Sequence, residues 1–302
     1  MFNPVAITID KFAELLSANY CRIYAHTFPN FGPTLTAIAR LSVERIAGSD
    51  ALYHDYMHTI CVTEVGQEIL RGRMMIDTVA PLDWVHFTAA TLLHDVGYLR
   101  GICPGDRDGH YIVDAAGNTV QAPLGSTDAF LAPWHVERGK IFVRHRLADI
   151  PHIDVERICR AIELTRFPVP DDGDHAETDT EAGLVRAADL IGQLADPNYH
   201  RKQAALFYEF METGVDSKLE CRNAGELADT YPKFFWSKVE PYIGAALAHL
   251  ERTIEGRDWI ANLYAHVFIE EKMRRRLGPE RAPNSTVASE PAATTHKLNE
   301  KN

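Results

Sequence analysis

Apolar residues recur every three to four positions through most of this chain, and that period commits it to helices stacked on a common core. The stripe runs through Asp10 to Tyr24 as Phe12, Leu15, Leu16, Tyr20 and Ile23. It resumes from Leu35 to Ile46, and Gly48-Ser49-Asp50 ends it. Tyr56 to Leu70 predicts a third helix. Pro81 opens the strongest one, APLDWVHFTAATLLHDVGYL, with proline suited to the first turn and Gly97 to the stop. Ser126 to Leu147, Ile153 to Thr165, Thr180 to Ala195 and Pro197 to Gly214 follow, and Tyr231 to Leu277 supplies two or more helices. The predicted class is all-α, a helical bundle in a single domain over residues 1–277. Residues 278–302 lose the period to Pro, Ala, Ser, Thr and Lys, which predicts a disordered tail.

Two stretches interrupt the helices. Residues 101–125 are rich in Gly, Pro and Asp, and within them HYIVDAAGNTVQAP reads as a short hairpin around Ala116-Gly117-Asn118. Residues 168–180 (PVPDDGDHAETDT) form an acidic loop. Both follow helices with candidate site residues, so each is read either as a lid or as a surface insertion.

Composition narrows the function classes. At 302 residues and 46% apolar content the chain can bury a core without disulfides. Its 31 basic against 42 acidic residues, a net charge of −11, argue against a nucleic-acid polymer or a polybasic membrane patch as partner. No apolar run reaches the roughly 18 residues of a membrane span. The N-terminal MFNPVAITIDKF has early acid and no apolar stretch, so no signal peptide is expected. Five widely spaced cysteines without a CxxC fit a reducing cytosol and exclude a cysteine-based zinc site. A cytoplasmic protein is expected, with homo-oligomerisation left open.

Histidine is the excess residue: 14 of them, about twice the number expected if histidine is roughly 2% of an average chain. Four segments concentrate the chemistry. Tyr53-His54-Asp55-Tyr56-Met57-His58 spaces two histidines four apart, on one face if both are helical. Leu93-His94-Asp95-Val96-Gly97-Tyr98 ends an apolar helix, and its His-Asp pair can converge on one ion only if the helix terminus turns both side chains the same way. His135 lies in Trp134-His135-Val136-Glu137. In Ala187-Ala188-Asp189-Leu190-Ile191 a carboxylate interrupts an apolar face, where burial without a cation is costly.

Over roughly residues 50–200 these residues resemble the HD superfamily of metal-dependent phosphohydrolases, whose H…HD…D pattern is filled by His58, His94-Asp95 and Asp189. The YHxxxH form of the first box is similar to the catalytic domain of cyclic-nucleotide phosphodiesterases. The resemblance implies an HD-type helical bundle, with His58, His94, Asp95 and Asp189 as metal ligands and His54 as proton donor. Asp95 then also counts among the catalytic residues, and His135 is a further ligand or a residue lining the site. The first box has Asp55 where the phosphodiesterases usually have Asn, and no histidine stands near Thr165-Arg166 to complete a second, fully protein-ligated ion.

Two His and two Asp form a mixed N/O site open to Mn, Mg, Fe or Zn, as one or two divalent ions. Such an ion makes a nucleophile from water near neutral pH. The expected substrate is a small anionic phosphoester, with a cyclic-nucleotide-like phosphodiester as the leading case. Nucleotide phosphomonoester hydrolysis, di-iron oxygenation and a non-catalytic nucleotide-binding scaffold are the alternatives. Arg166 and Lys140 are candidate phosphate contacts, although Asp55 and Arg166 also read as supporting or salt-bridged residues. Taken singly, His58 or His94 is more often a structural residue; as a set in this order they point to a metal. His86 reads as packing, and His110, His145, His152, His175 and His200 read as loop or surface residues. Tyr231, Phe234, Phe235 and Trp236 read as helix packing.

Overall fold

The helix ends follow from short-range chemistry. The computed structural model describes residues 2–25 and 30–273. In chain order its helices are α1 (Pro4–Tyr24), α2 (Gly32–Ile46), α3 (Tyr56–Arg73), α4 (Pro81–Leu93), α5 (His135–Leu147), α6 (Val155–Leu164), α7 (Glu181–Leu194), α8 (Tyr199–Thr213), α9 (Val215–Lys218), α10 (Ala224–Phe234), α11 (Glu240–Leu250) and α12 (Ile254–Phe268). Asn3, Asp55, Asp154, Thr180, Asn223 and Thr253 each stand just before a helix and accept a hydrogen bond from its first turn. Such caps pair amides that the helix itself leaves open. Proline opens α1, α2 and α4, where a missing amide hydrogen costs nothing.

The all-α expectation holds: the molecule is a helical bundle with a single two-stranded hairpin among the described residues. α3 sits at its centre, packed by α4, α7 and α11. α1 pairs with α2, α2 lies on α4, and α6 bridges α4, α5 and α7. One apolar core runs through these helices from Ile9 to Val267. Two close approaches bring the site together. A Cβ on Gly192 of α7 would stand 2.7 Å from the Cα of Val62 on α3, so the two backbones nearly touch. A Cβ on Gly97 would stand 1.8 Å from the carbonyl oxygen of His135, at the start of α5. Gly97→Ala is therefore expected to push α5 off the turn that follows α4. The expected loss is about 2–4 kcal/mol in denaturant unfolding, since backbone cannot yield as a side chain end can.

Some boundaries differ from expectation. The stretch 126–147 is not one helix. Asp128–Trp134 is 3₁₀, and the α-helix begins only at His135. Pro133 is the cause: it donates no amide hydrogen and disfavours α geometry at Ala132. The Ala132 carbonyl accepts the His135 backbone amide and also lies 2.6 Å from the His135 Nδ1. At the C-terminal end, α10 begins at Ala224, ahead of the expected Tyr231, because Asn223 caps it. Tyr231 and Phe235 are packed inside as expected, while Trp236 is exposed. The hairpin pairs β1 (His110–Ile112) with β2 (Thr119–Gln121), antiparallel, with Tyr111 opposite Val120. The expected tail, 278–302, lies outside the described residues. Among the described residues no helix is long and apolar enough to cross a membrane.

Candidate metal centre

Two helix termini and one helix interior supply the site. His58 lies in the first turn of α3, and its backbone amide donates to the Asp55 cap at 2.9 Å. His94 ends α4. Asp95, at φ −101 and ψ 1, has left helical geometry before the 3₁₀ turn Val96–Tyr98 begins. That break lets the neighbouring His94 and Asp95 turn to one point, as the LHDVGY segment requires. Asp189 comes from the interior of α7, brought to α3 by the Gly192 contact. His54 differs from expectation: it precedes the Asp55 cap and is not helical, so no shared helix face aligns it with His58. The fold still places the two rings 5.8 Å apart, nearly perpendicular.

The donors converge. His58 Nε2 and His94 Nε2 are 3.3 Å apart. Asp95 Oδ2 is 3.2 Å from each of them. Asp189 Oδ1 is 3.3 Å from His58 Nε2 and 3.5 Å from His94 Nε2. A cation held at about 2.0–2.3 Å by donors about 90–110° apart puts neighbouring donors about 3–3.6 Å from one another, so the spacing fits. His94 gives its Nδ1 hydrogen to the Thr91 carbonyl at 2.8 Å, which directs the Nε2 lone pair inward. Asp95 Oδ2 is buried without a hydrogen-bond partner, a costly arrangement that a cation would relieve. Among the described residues, no Lys or Arg forms an ion pair with Asp95 or Asp189. Burial alone would lower the imidazoles and raise the carboxyls, but their mutual attraction overrides it. His58 is lifted to about 9 and His94 well above its usual range, while Asp189 falls to about 2 and Asp95 well below its usual range.

A second set of residues borders this cluster. Glu209 of α8, buried, accepts from the backbone amides of Tyr53 at 2.6 Å and His54 at 3.3 Å, and from His54 Nδ1 at 2.6 Å. Burial works against a charged His54, and Glu209 outweighs it, raising the imidazole above its ordinary value. Glu209 had no signal in the sequence, being 155 residues away in an unremarkable helix. His54 Nε2 faces the Tyr98 hydroxyl at 3.3 Å. His135 Nε2 stands 4.0 Å from Asp95 Oδ1, which places His135 beside the cluster without the close contacts of the other four.

Arg166 and Lys140, the candidate phosphate contacts, are engaged elsewhere. Arg166 pairs with Glu163 at 2.5 Å and Glu137 at 2.6 Å, and Lys140 with Glu163 at 2.5 Å and Glu137 at 2.9 Å. Burial opposes the charge on Glu163, and the two cations overcome it, lowering its carboxyl from 4.5 to about 2. A lowered folded pKa contributes stability above the unfolded value and loses it as pH falls. Glu163→Gln is thus expected to flatten the decline in stability between pH 4.5 and about 2. The flattening, on the order of 1–3 kcal/mol, would appear in urea melts across that range.

Neither interruption hangs free at its base. Arg138 of α5, fully buried, donates to the Gly97 carbonyl at 2.8 Å, the Leu99 carbonyl at 2.7 Å and Asp106 at 2.9 Å, and it also reaches the Ile112 carbonyl. Arg186 of α7 donates to the His175 carbonyl at 2.6 Å and to that of Glu177. His175, expected in a loop or on the surface, lies in the loop but is buried beneath this clamp, with its Nδ1 2.8 Å from Asp172. His86 packs as expected: its Nδ1 donates to the Leu82 carbonyl at 2.6 Å and its Nε2 accepts from the Asp154 amide at 2.8 Å.

No curated protein matches the chain. The model of the Npun_R2479-like family matches residues 2–273, which takes in every helix above and all the residues of the candidate centre. With nine-tenths of its length under that one match, the chain belongs to the Npun_R2479-like family.

Proposed function

We propose that this protein is a metal-dependent phosphohydrolase of HD type that cleaves a small phosphoester. The observation that carries this reading is the convergence of His58, His94, Asp95 and Asp189, with the His54–Glu209 pair at its border. A divalent cation held by these four residues would neutralise phosphate charge and acidify water. Asp95 offers one oxygen to the imidazole pair and turns the other toward His135, so the second oxygen is available to take the attacking water's proton. His54, whose charged form Glu209 favours, would carry the proton that the leaving oxygen requires.

Within the phosphoesters, the paired cations favour a monoanionic diester. Lys140 and Arg166 are bound to Glu137 and Glu163, Arg100 to Asp50 and Asp128, and Lys202 to Asp196 and Asp55. A dianionic monoester or a polyphosphate would call for more positive charge than these offer. A second reading, di-iron oxygenation, draws on His135, which with Asp95 Oδ1 could hold a second ion.

The deciding experiment combines metal analysis with a panel of cyclic nucleotides, nucleotides and bis-p-nitrophenyl phosphate, each with Mn²⁺ or Mg²⁺. Diester turnover with bound metal is the expected result. Two irons per chain with O₂ uptake would favour oxygenation, and a protein that takes up no metal would be a scaffold. A pH test follows from Glu209. The acid must be protonated, so activity falls as pH rises through the His54 pKa, which Glu209 holds up. Glu209→Gln is expected to move the alkaline limb of kcat to lower pH while metal content stays unchanged.

A further inference from the structure

Tyr98 lies between two histidines of the site. Its ring stacks on His54 with centroids 4.2 Å apart and planes at 17°, and on His135 at 4.5 Å and 28°. The hydroxyl stands 3.3 Å from His54 Nε2. The backbone on either side of it is pinned, because one buried side chain, Arg138, binds the carbonyls of both Gly97 and Leu99. His54 is equally constrained. Glu209 takes its Nδ1 at 2.6 Å and Tyr98 covers one face of its ring, so the ring cannot turn without breaking both contacts. With Nδ1 committed, the transferable proton is on Nε2, and the group that Nε2 faces is the Tyr98 oxygen.

We propose that Tyr98 is a catalytic residue that relays the His54 proton to the leaving oxygen. This rests on the phosphoester reading above and adds a step to it. As the bond between phosphorus and the leaving oxygen breaks, that oxygen takes its electron pair and the Tyr98 hydroxyl proton. The Tyr98 oxygen takes the proton from His54 Nε2 at the same time, so no tyrosinate accumulates. His54 is left neutral, with its remaining proton on Nδ1 against Glu209, and a solvent proton restores it for the next cycle. Contacts near 3.3 Å before substrate arrives commonly shorten in the reacting complex.

The test uses the full-length protein with Mn²⁺ and a series of diaryl phosphates running from p-nitrophenyl to phenyl. A p-nitrophenolate leaves readily without a proton, and a phenolate does not. In the wild type, kcat is expected to vary weakly along the series. Tyr98→Phe should stay within about threefold of wild type on the p-nitrophenyl ester and fall about 10²-fold or more on the phenyl ester. The Tyr98→Phe, His54→Ala double variant should be no slower there than His54→Ala alone, because the two residues act in one chain. Bound Mn²⁺ and melting temperature should match wild type. In ¹⁵N-histidine spectra the His54 Nε2 resonance should shift in Tyr98→Phe while its Nδ1 resonance stays put. A Tyr98→Phe series parallel to wild type would overturn the relay and leave the phosphoester reading standing. A wild-type protein that binds Mn²⁺ but turns over none of these esters, nor any member of the earlier panel, would overturn that reading and the relay with it.

Discussion

Replacing Asp95 with Asn is expected to empty the site and abolish turnover together. Asn preserves the shape of the side chain, so the change isolates its charge. Asp95 Oδ2 sits 3.2 Å from both imidazole nitrogens and has no hydrogen-bond partner of its own. An amide there offers a weaker, neutral oxygen, or turns its NH₂ toward two nitrogens whose lone pairs are needed for an ion. Metal-assisted charge stabilisation is worth several kcal/mol, so its loss lowers turnover by about 10³-fold or more. Plasma emission spectroscopy of the purified variant should find near-zero divalent metal, with circular dichroism showing the helices intact. A variant that kept a full complement of metal would exclude Asp95 as a ligand. The arrangement would then be an ordinary buried hydrogen-bonded cluster, in which His58 shares a proton with His94.

Replacing His54 with Ala should have the second largest effect and leave a different signature. The ring is 5.8 Å from His58 and makes none of the short contacts within the four-residue cluster, so metal content should be retained. Turnover should fall by about 10²–10⁴-fold, the usual range for a general acid. The loss should be smallest for esters with good leaving groups. The vacated Glu209 is then a buried carboxylate without its cation, so some loss of stability should accompany the change. Loss of metal in this variant would overturn the assignment of His54 as the acid.

The helices and the core of the site were legible for different reasons. Helical stripes and the proline start at Pro81 depend on residues a few positions apart, and a linear reading captures them, whereas α1 begins at Pro4 behind its Asn3 cap, ahead of the expected Asp10. The His58, His94, Asp95 and Asp189 set was legible as a recurring order of coordinating side chains. The step from order to convergence came from the fold. Where the local reading failed, a single residue or a distant partner explains it. Pro133 delayed the start of α5. Lys140 and Arg166 pair locally with Glu137 and Glu163, three positions away, and each also reaches the other's glutamate once α5 and α6 pack together. The histidine surplus divides in the same way. His54, His58, His94 and His135 gather at the site, while His86 and His266 bind the carbonyls of Leu82 and Leu194.

By itself the sequence determined the all-α class, most helix boundaries, the hairpin and the identity of the four clustered residues. The first three follow from backbone and side-chain preferences acting within about a dozen positions, and the four residues from the resemblance of their order along the chain to a known family's pattern. The tertiary structure decided which groups meet. It brought Glu209 to His54 across 155 positions, placed Tyr98 between His54 and His135, and set Asp189 against His58 by pressing Gly192 onto Val62. Contacts of that kind depend on how whole helices close on one another. No local period encodes them, because the free energy that selects them comes from burial summed over the entire core.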